Sequence, residues 1–220
     1  MSDSLTPPPA EPRRLRPGRH GLSPLQVSAA QRDRLILAAL AVVAERGYLN
    51  TTVTDLVGHA AVSRTTFYQQ FNGRESCFLA AYAHAVDHVE RRLAEVDAAA
   101  IDYPLWQLRA AADVDAYLNL LASHPPLAIV LHQEVVAVGV SGTDQRARLL
   151  ALLAARVAAL ADYACKADPE LPHVPGELLA LYAGGLDELI RDRLRTDGAA
   201  GLPALSTPLR RATIALLGGR

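Results

Sequence analysis

Apolar residues recur along this chain with the three-to-four spacing of a helix. Ser28 followed by Gln31 has the form of a capping box, and Ile36, Ala39, Leu40 and Val43 follow on one face, so a helix is predicted over 28–46. Gly47 stands where a left-handed C-terminal cap belongs, because glycine takes positive φ without a Cβ penalty. Thr52 with Asp55 repeats the capping pattern and opens a short apolar segment, Val53, Leu56, Val57 and Ala60, predicting a second helix that ends near Ala60. Ser63 is a suitable N-cap for a third short helix, Arg64 to Gln70, and Asn72-Gly73 marks a turn before a long fourth helix through about Val96. Beyond it, turns are expected at Asp102 to Pro104, Pro125-Pro126, Gly139 to Gly142, Asp168 to Gly176 and Gly198 to Pro203, which divide an Ala-rich remainder into about five more helices. The segment 127–138 is ambiguous: Ile129, Val130, Leu131, Val135, Val136 and Val138 would also suit a buried strand, and length and flanking helices favour helix. The predicted fold class is all-α with about nine helices and no fixed-period repeat.

Residues 1–26 break this texture. They hold Pro7, Pro8, Pro9, Pro12, Pro17 and Pro24 together with Arg13, Arg14, Arg16 and Arg19, a composition that cannot bury enough apolar surface to offset its ordering entropy. A flexible basic arm is expected there, either a solvated tail or a segment that follows a DNA backbone. The net charge of −1 hides an asymmetry, since residues 1–75 carry nine arginines against six carboxylates and residues 76–220 carry an acidic excess. The longest apolar run, Leu35 to Ala44, is half of the roughly 20 residues that a membrane-spanning helix needs, and no secretion signal opens the chain. Cys77 and Cys165 are too few for a disulfide framework, so a cytoplasmic location is expected.

The chemistry gathers between Thr52 and Arg74. Two short helices separated by His59-Ala60-Ala61-Val62-Ser63 have the dimensions of a helix-turn-helix, in which the second helix enters the major groove of DNA. Arg64, Thr65, Thr66, Gln69 and Gln70 offer hydrogen-bonding groups on that helix, Tyr68 can reach a phosphate, and Val62, Phe67 and Phe71 can anchor its inner face. The stretch Leu35-Ile36-Leu37-Ala38-Ala39-Leu40, then Ala44-Glu45-Arg46-Gly47-Tyr48, Thr51-Thr52-Val53, Ala60-Ala61-Val62-Ser63, Thr66-Phe67-Tyr68, Phe71 and Arg74-Glu75 resembles the amino-terminal DNA-binding domain of the TetR family of bacterial transcriptional regulators.

The resemblance implies a helix-turn-helix domain over 27–75 and a helical effector-binding and dimerisation domain over 76–220. By matching position, Thr52, Tyr68 and Arg74 resemble the family's phosphate contacts, while Arg64, Thr65, Thr66 and Gln69 fall at positions that reach base edges. Ser63 and Thr52 also serve as N-caps, and a helix N-terminus itself attracts phosphate. Two positions depart from the family pattern: Ala61 replaces a frequent glycine in the turn, and Thr65 replaces a small residue. The implied partners are a palindromic double-stranded operator, a second copy of the chain and a small-molecule effector, with repression the family's usual mode.

For the dimer, helices near 174–195 and 205–217 are the expected contacts, the first through Leu178, Leu181, Tyr182, Gly185, Leu186, Leu189 and Ile190. Trp106, Tyr117, His132, Gln133, Glu134 and Tyr163 are aromatic or polar groups in apolar helices, the mixture small-molecule sites use, and an apolar lining would suit a hydrophobic or aromatic ligand. His84 and His88 lie four apart and could offer two imidazoles to a metal, but no third ligand is evident, so no metal and no cofactor are expected. No nucleophile elbow, phosphate loop or zinc-protease motif points to an enzyme. The alternative to a DNA-binding regulator is a helical ligand- or partner-binding module without DNA activity.

Overall fold

A computed structural model describes residues 23–99 and 105–218. Most of the proposed arm therefore lies outside the described residues. The described elements are helices α1 (Pro24–Arg46), α2 (Val53–Ala60), α3 (Arg64–Gln70), α4 (Arg74–Ala99), α5 (Trp106–Ser123), α6 (Pro125–His132), α7 (Val140–Ala167), α8 (Gly176–Asp197) and α9 (Ser206–Leu216), with 3-10 segments at Glu134–Val138 and Ala199–Leu205.

The first helix starts earlier than the periodicity suggests. Ser23, not Ser28, is the cap: its Oγ accepts from Gln26 N at 3.2 Å, Gln26 Oε1 accepts from Ser23 N at 2.7 Å, and Pro24 sits at N1, where its missing N–H costs nothing. Ser28 instead accepts a 2.7 Å bond from Gln70 Nε2 and so ties α1 to the end of α3. Gly47 does carry positive φ, at 79°, but with extended ψ rather than in the left-handed helical well. The capping box of α2 forms as expected, with Thr52 Oγ1 accepting from Asp55 N and Asp55 Oδ2 accepting from Thr52 N.

In the carboxy-terminal half, Pro125-Pro126 does not form a turn outside a helix; it supplies the first turn of α6, where proline is tolerated. The segment 127–138 is helical but broken at Gln133, because α6 stops there and a 3-10 turn continues to Val138. Gly139, at φ 85°, turns the chain into α7, whereas Gly142 lies inside α7.

One hydrophobic core runs through the whole molecule. It holds Leu35, Ala39 and Val43 of α1 together with Phe67 and Phe71 around α3, and α4 extends it with Phe78, Ala81, Tyr82, Ala85, Val89 and Leu93 toward α5, α6 and α8. A smaller cluster of Trp106, Ala110, Leu160, Ala161, Ala164, Val174 and Leu217 closes the far end. Cys77 is sealed in the main core; burial pushes its thiol up to about 12, which makes it an inert packing residue.

Candidate functional site

The helix α3 is held by its inner face and offers its outer one. Phe67 is fully buried and Phe71 nearly so, with ring centroids 5.9 Å apart, and burying each contributes roughly 1.5–3 kcal/mol. Ser63 Oγ accepts from Thr66 N at 3.0 Å at one end of α3, and Arg32 Nη1 donates to the Gln70 carbonyl at 3.0 Å at the other. The Arg32 guanidinium also lies 4.3 Å from the centre of the Phe71 ring. Arg64, Thr65, Tyr68 and Gln69 are left exposed, whereas Thr66 is half-buried with its hydroxyl 2.9 Å from Ser63 Oγ. No carboxylate occupies α3.

Thr52 and Arg74 flank this surface, already bonded within the protein. Thr52 Oγ1 donates to Asp55 Oδ2 at 2.6 Å, and that bond, with the backbone bond from Thr52, holds the Asp55 carboxyl below its usual value. Arg74 Nη1 donates to the Thr51 carbonyl at 2.7 Å, and its guanidinium lies 4.4 Å from the centre of the Tyr48 ring. Arg74 thus fixes the α1–α2 connection, a role its position in the sequence does not disclose.

The second site is a cavity of about 60 Å³ between α4, α5, α7, α8 and α9. Its apolar wall includes Leu93, Val114, Leu118 and Leu153; its polar groups are Asp113, Tyr117, Arg156, Tyr182 and Thr213. Of the ligand-site residues expected from sequence, Tyr117 lies on this wall. His132 is fully buried behind it, its Nε2 2.9 Å from Tyr117 Oη and its Nδ1 2.7 Å from Asp187 Oδ1. Trp106 belongs to the far core cluster, Tyr163 packs against that cluster beneath the Arg109 guanidinium, and Gln133 caps the end of α6 on the surface. Asp113, Arg156, Tyr182 and Thr213 also line the cavity without being candidates from the sequence, although Arg156 interrupts an apolar run in α7 and Asp113 follows three alanines in α5.

Buried charge concentrates behind the cavity. Burial alone would raise the Asp187 carboxyl, but His132 on one oxygen and Arg146, which donates through Nε and Nη2 to the other, hold it below its usual value. Two residues beyond His132, Glu134 Oε2 accepts a 2.7 Å bond from Tyr48 N. The end of α6 thus stands behind the cavity wall at His132, and the 3-10 turn that follows holds the connection that carries α2 through Glu134.

His84 and His88 lie on α4, and folding brings the His124 ring to 5.6 Å from that of His88. Burial, then the neighbouring His124, lowers the His88 imidazole. Among the described residues no group of three His, Cys, Asp or Glu side chains could hold a metal ion. Among those residues, too, no single helix is long and apolar enough to cross a membrane; α5 and α6 reach that apolar length only together, across a 107° bend.

Residues 35–81 match the family of bacterial regulatory proteins, tetR family. No curated protein sequence matches the chain. Among solved structures, the fatty acid degradation regulator FadR from Bacillus halodurans is similar with a TM-score of 0.73 at 21% identity, covering 86% of this chain and 97% of that one. The transcriptional regulator FadR from Bacillus subtilis, solved in complex with stearoyl-CoA, gives 0.70 at 19% identity, covering 86% and 98%. A bacterial regulatory protein in the tetR family from Rhodococcus RHA1 gives 0.66 at 18% identity, again covering 86% and 98%. At these identities the three establish a shared fold. Over residues 35–81 the chain is similar to the bacterial regulatory proteins of the tetR family, and over most of its length it shares their fold.

Proposed function

We propose that the chain is a DNA-binding repressor that reads a palindromic operator as a homodimer and leaves it when a small apolar molecule enters the cavity between α4, α5, α7, α8 and α9. The observation that carries the DNA reading is α3 itself: an outer face of Arg64, Thr65, Tyr68 and Gln69, free of carboxylates, on a helix braced by Phe67, Phe71, Ser63 and Arg32. Arginine, threonine and glutamine supply donors and acceptors for base edges, and Tyr68 supplies a hydroxyl for a phosphate, whereas Thr52 reaches one only by giving up its bond to Asp55. The reading head is residues 27–75, and α4 carries its motion into the effector-binding half, 76–220.

The dimer face we assign is the exposed stripe Leu178, Leu181, Gly185 and Leu189 on α8. A Cβ on Gly185 would meet nothing within 4 Å, so the glycine leaves room for a facing helix. Tyr182, Leu186 and Ile190, expected from sequence on the same face, turn inward to the cavity and core.

The cavity is well below the roughly 300 Å³ of small-molecule sites, so a ligand must part the helices around it. That requirement supplies linkage: a ligand that binds only the parted form draws the protein from the form that fits DNA. The path we assign runs from Tyr117 through His132 and α6 to Glu134 and the Tyr48 amide.

Replacing Arg64 and Tyr68 together by alanine tests the DNA reading. The expected result is unchanged folding and oligomeric state with operator affinity reduced by at least about 100-fold, from roughly 1–3 kcal/mol per base contact plus a lost phosphate contact. Retained affinity in an anisotropy titration would assign the chain to the alternative, a ligand-binding module without DNA activity.

A further inference from the structure

The cavity carries information about the charge of what it takes. Asp113 and Arg156 are the ionisable pair on its wall that carries charge at neutral pH, joined at 2.9 Å through Asp113 Oδ1. Arg156 is otherwise occupied: Nη1 and Nη2 each bond Asp97 at 3.1 Å, and Nη2 also reaches the Leu93 carbonyl. Arg109, just outside, bonds Asp97 at 3.2 Å and lies over the Tyr163 ring. Both oxygens of Asp97 are thereby used. Asp113 Oδ2 has no hydrogen-bond partner among the described residues, although it belongs to a side chain only 18% exposed. The adjoining surface groove brings Glu90 to the same place, and Glu90 has no ion-pair partner among the described residues. Three carboxylates thus face two guanidiniums, an excess of negative charge, and the wall offers the open acceptor Asp113 Oδ2 beside the Arg156 Nε–H, which bonds no acceptor among the described residues.

Resting on the effector reading above, we propose that the cavity takes a hydrophobic amine, its apolar body among Leu93, Val114, Leu118 and Leu153 and its ammonium donating to the open oxygen of Asp113. Burial, with Asp97 nearby, raises the Asp113 carboxyl, and Arg156 and the more distant Arg109 only partly offset it, so a further cation at its open oxygen would relieve it. An anionic head would instead meet guanidiniums that are already paired and carboxylates that repel it. The coenzyme A thioester bound by the Bacillus subtilis relative carries such a polyanionic head, and this mouth is unsuited to it.

The test uses the full chain and its one tryptophan, Trp106, which packs in a cluster with the cavity residues Ala110 and Leu160. Hexylamine, hexanol and hexanoate are titrated at neutral pH, following Trp106 fluorescence and confirming by calorimetry. The expected order is hexylamine at least tenfold tighter than hexanol, with hexanoate weakest. Asp113→Asn should erase the preference for the amine over hexanol, and a thermal melt like the parent's shows that the variant folds. If that variant fails to fold, the order of the three ligands on the unaltered protein decides alone. Hexanol or hexanoate binding as tightly as hexylamine would overturn the amine assignment and leave the effector cavity standing. Binding of none of the three would overturn both.

Discussion

Ala61 is the only residue other than glycine with positive φ among the described residues, at φ 51° and ψ 49° in the turn between α2 and α3. The left-handed region costs an L-residue roughly 1–2 kcal/mol, of which glycine's greater unfolded freedom would return about half. Ala61→Gly is therefore expected to raise stability by about 0.5–1 kcal/mol in a denaturant melt; a loss of similar size would contradict the strain. Asp187 is the opposite kind of residue, buried and satisfied by His132 and Arg146. Its folded pKa lies below the unfolded value of about 3.9, so its contribution is complete above that pH and is lost as pH falls through the lower folded value. Asp187→Asn is expected to cost about 3 kcal/mol at neutral pH and to flatten the fall in stability below about pH 4. An unchanged acid slope in urea melts would place the linkage elsewhere. The caps at Thr52 and Ser63 and the inward Phe67 were legible because each depends on residues within one turn. The Ser23-Pro24 cap with Gln26 is as local a signal, but the neighbouring prolines of the arm hide a proline at the first helical position.

Elements were legible to the extent that their ends are chemically marked. The boundaries of α2 and α3 follow the sequence closely, and α8 and α9 fall within two residues of the expected ranges. The break after α6 was not legible, because Val135 to Val138 is apolar throughout and its 3-10 form depends on what α7 presses against it. Gly142 is that contact: a Cβ there would collide with the Val135 carbonyl oxygen and stand 2.9 Å from Val138 Cβ. Gly142→Ala should therefore destabilise the fold by about 2 kcal/mol and weaken operator binding, through displacement of the segment that holds Glu134 against the Tyr48 amide. A thermal melt and a DNA titration of that variant unchanged from the parent would refute the contact. The cavity lies beyond local reading altogether. Asp113 and Arg156 are 43 residues apart on different helices, and only the packing of five helices makes their environment.

At the scale of the molecule, the reading head and the cavity share one core, so neither moves independently. α4, 26 residues long, starts just after α3 and passes the cavity wall at Leu93, and α6 packs against α1 while holding His132 behind Tyr117. In the proposed mechanism these two connections would link the cavity to the outer face of α3, and a dimer through α8 would fix the separation of two reading heads. The operator itself follows from that geometry only as a symmetry and a spacing. The most direct test is selection of bound duplexes from a random DNA library at about 0.15 M salt, where binding to phosphates alone is weakened. The account predicts enrichment of an inverted repeat with half-sites about one helical turn, or a small multiple of it, apart, lost with Arg64→Ala and Tyr68→Ala. Absence of enrichment by protein freed of bound small molecules would contradict it.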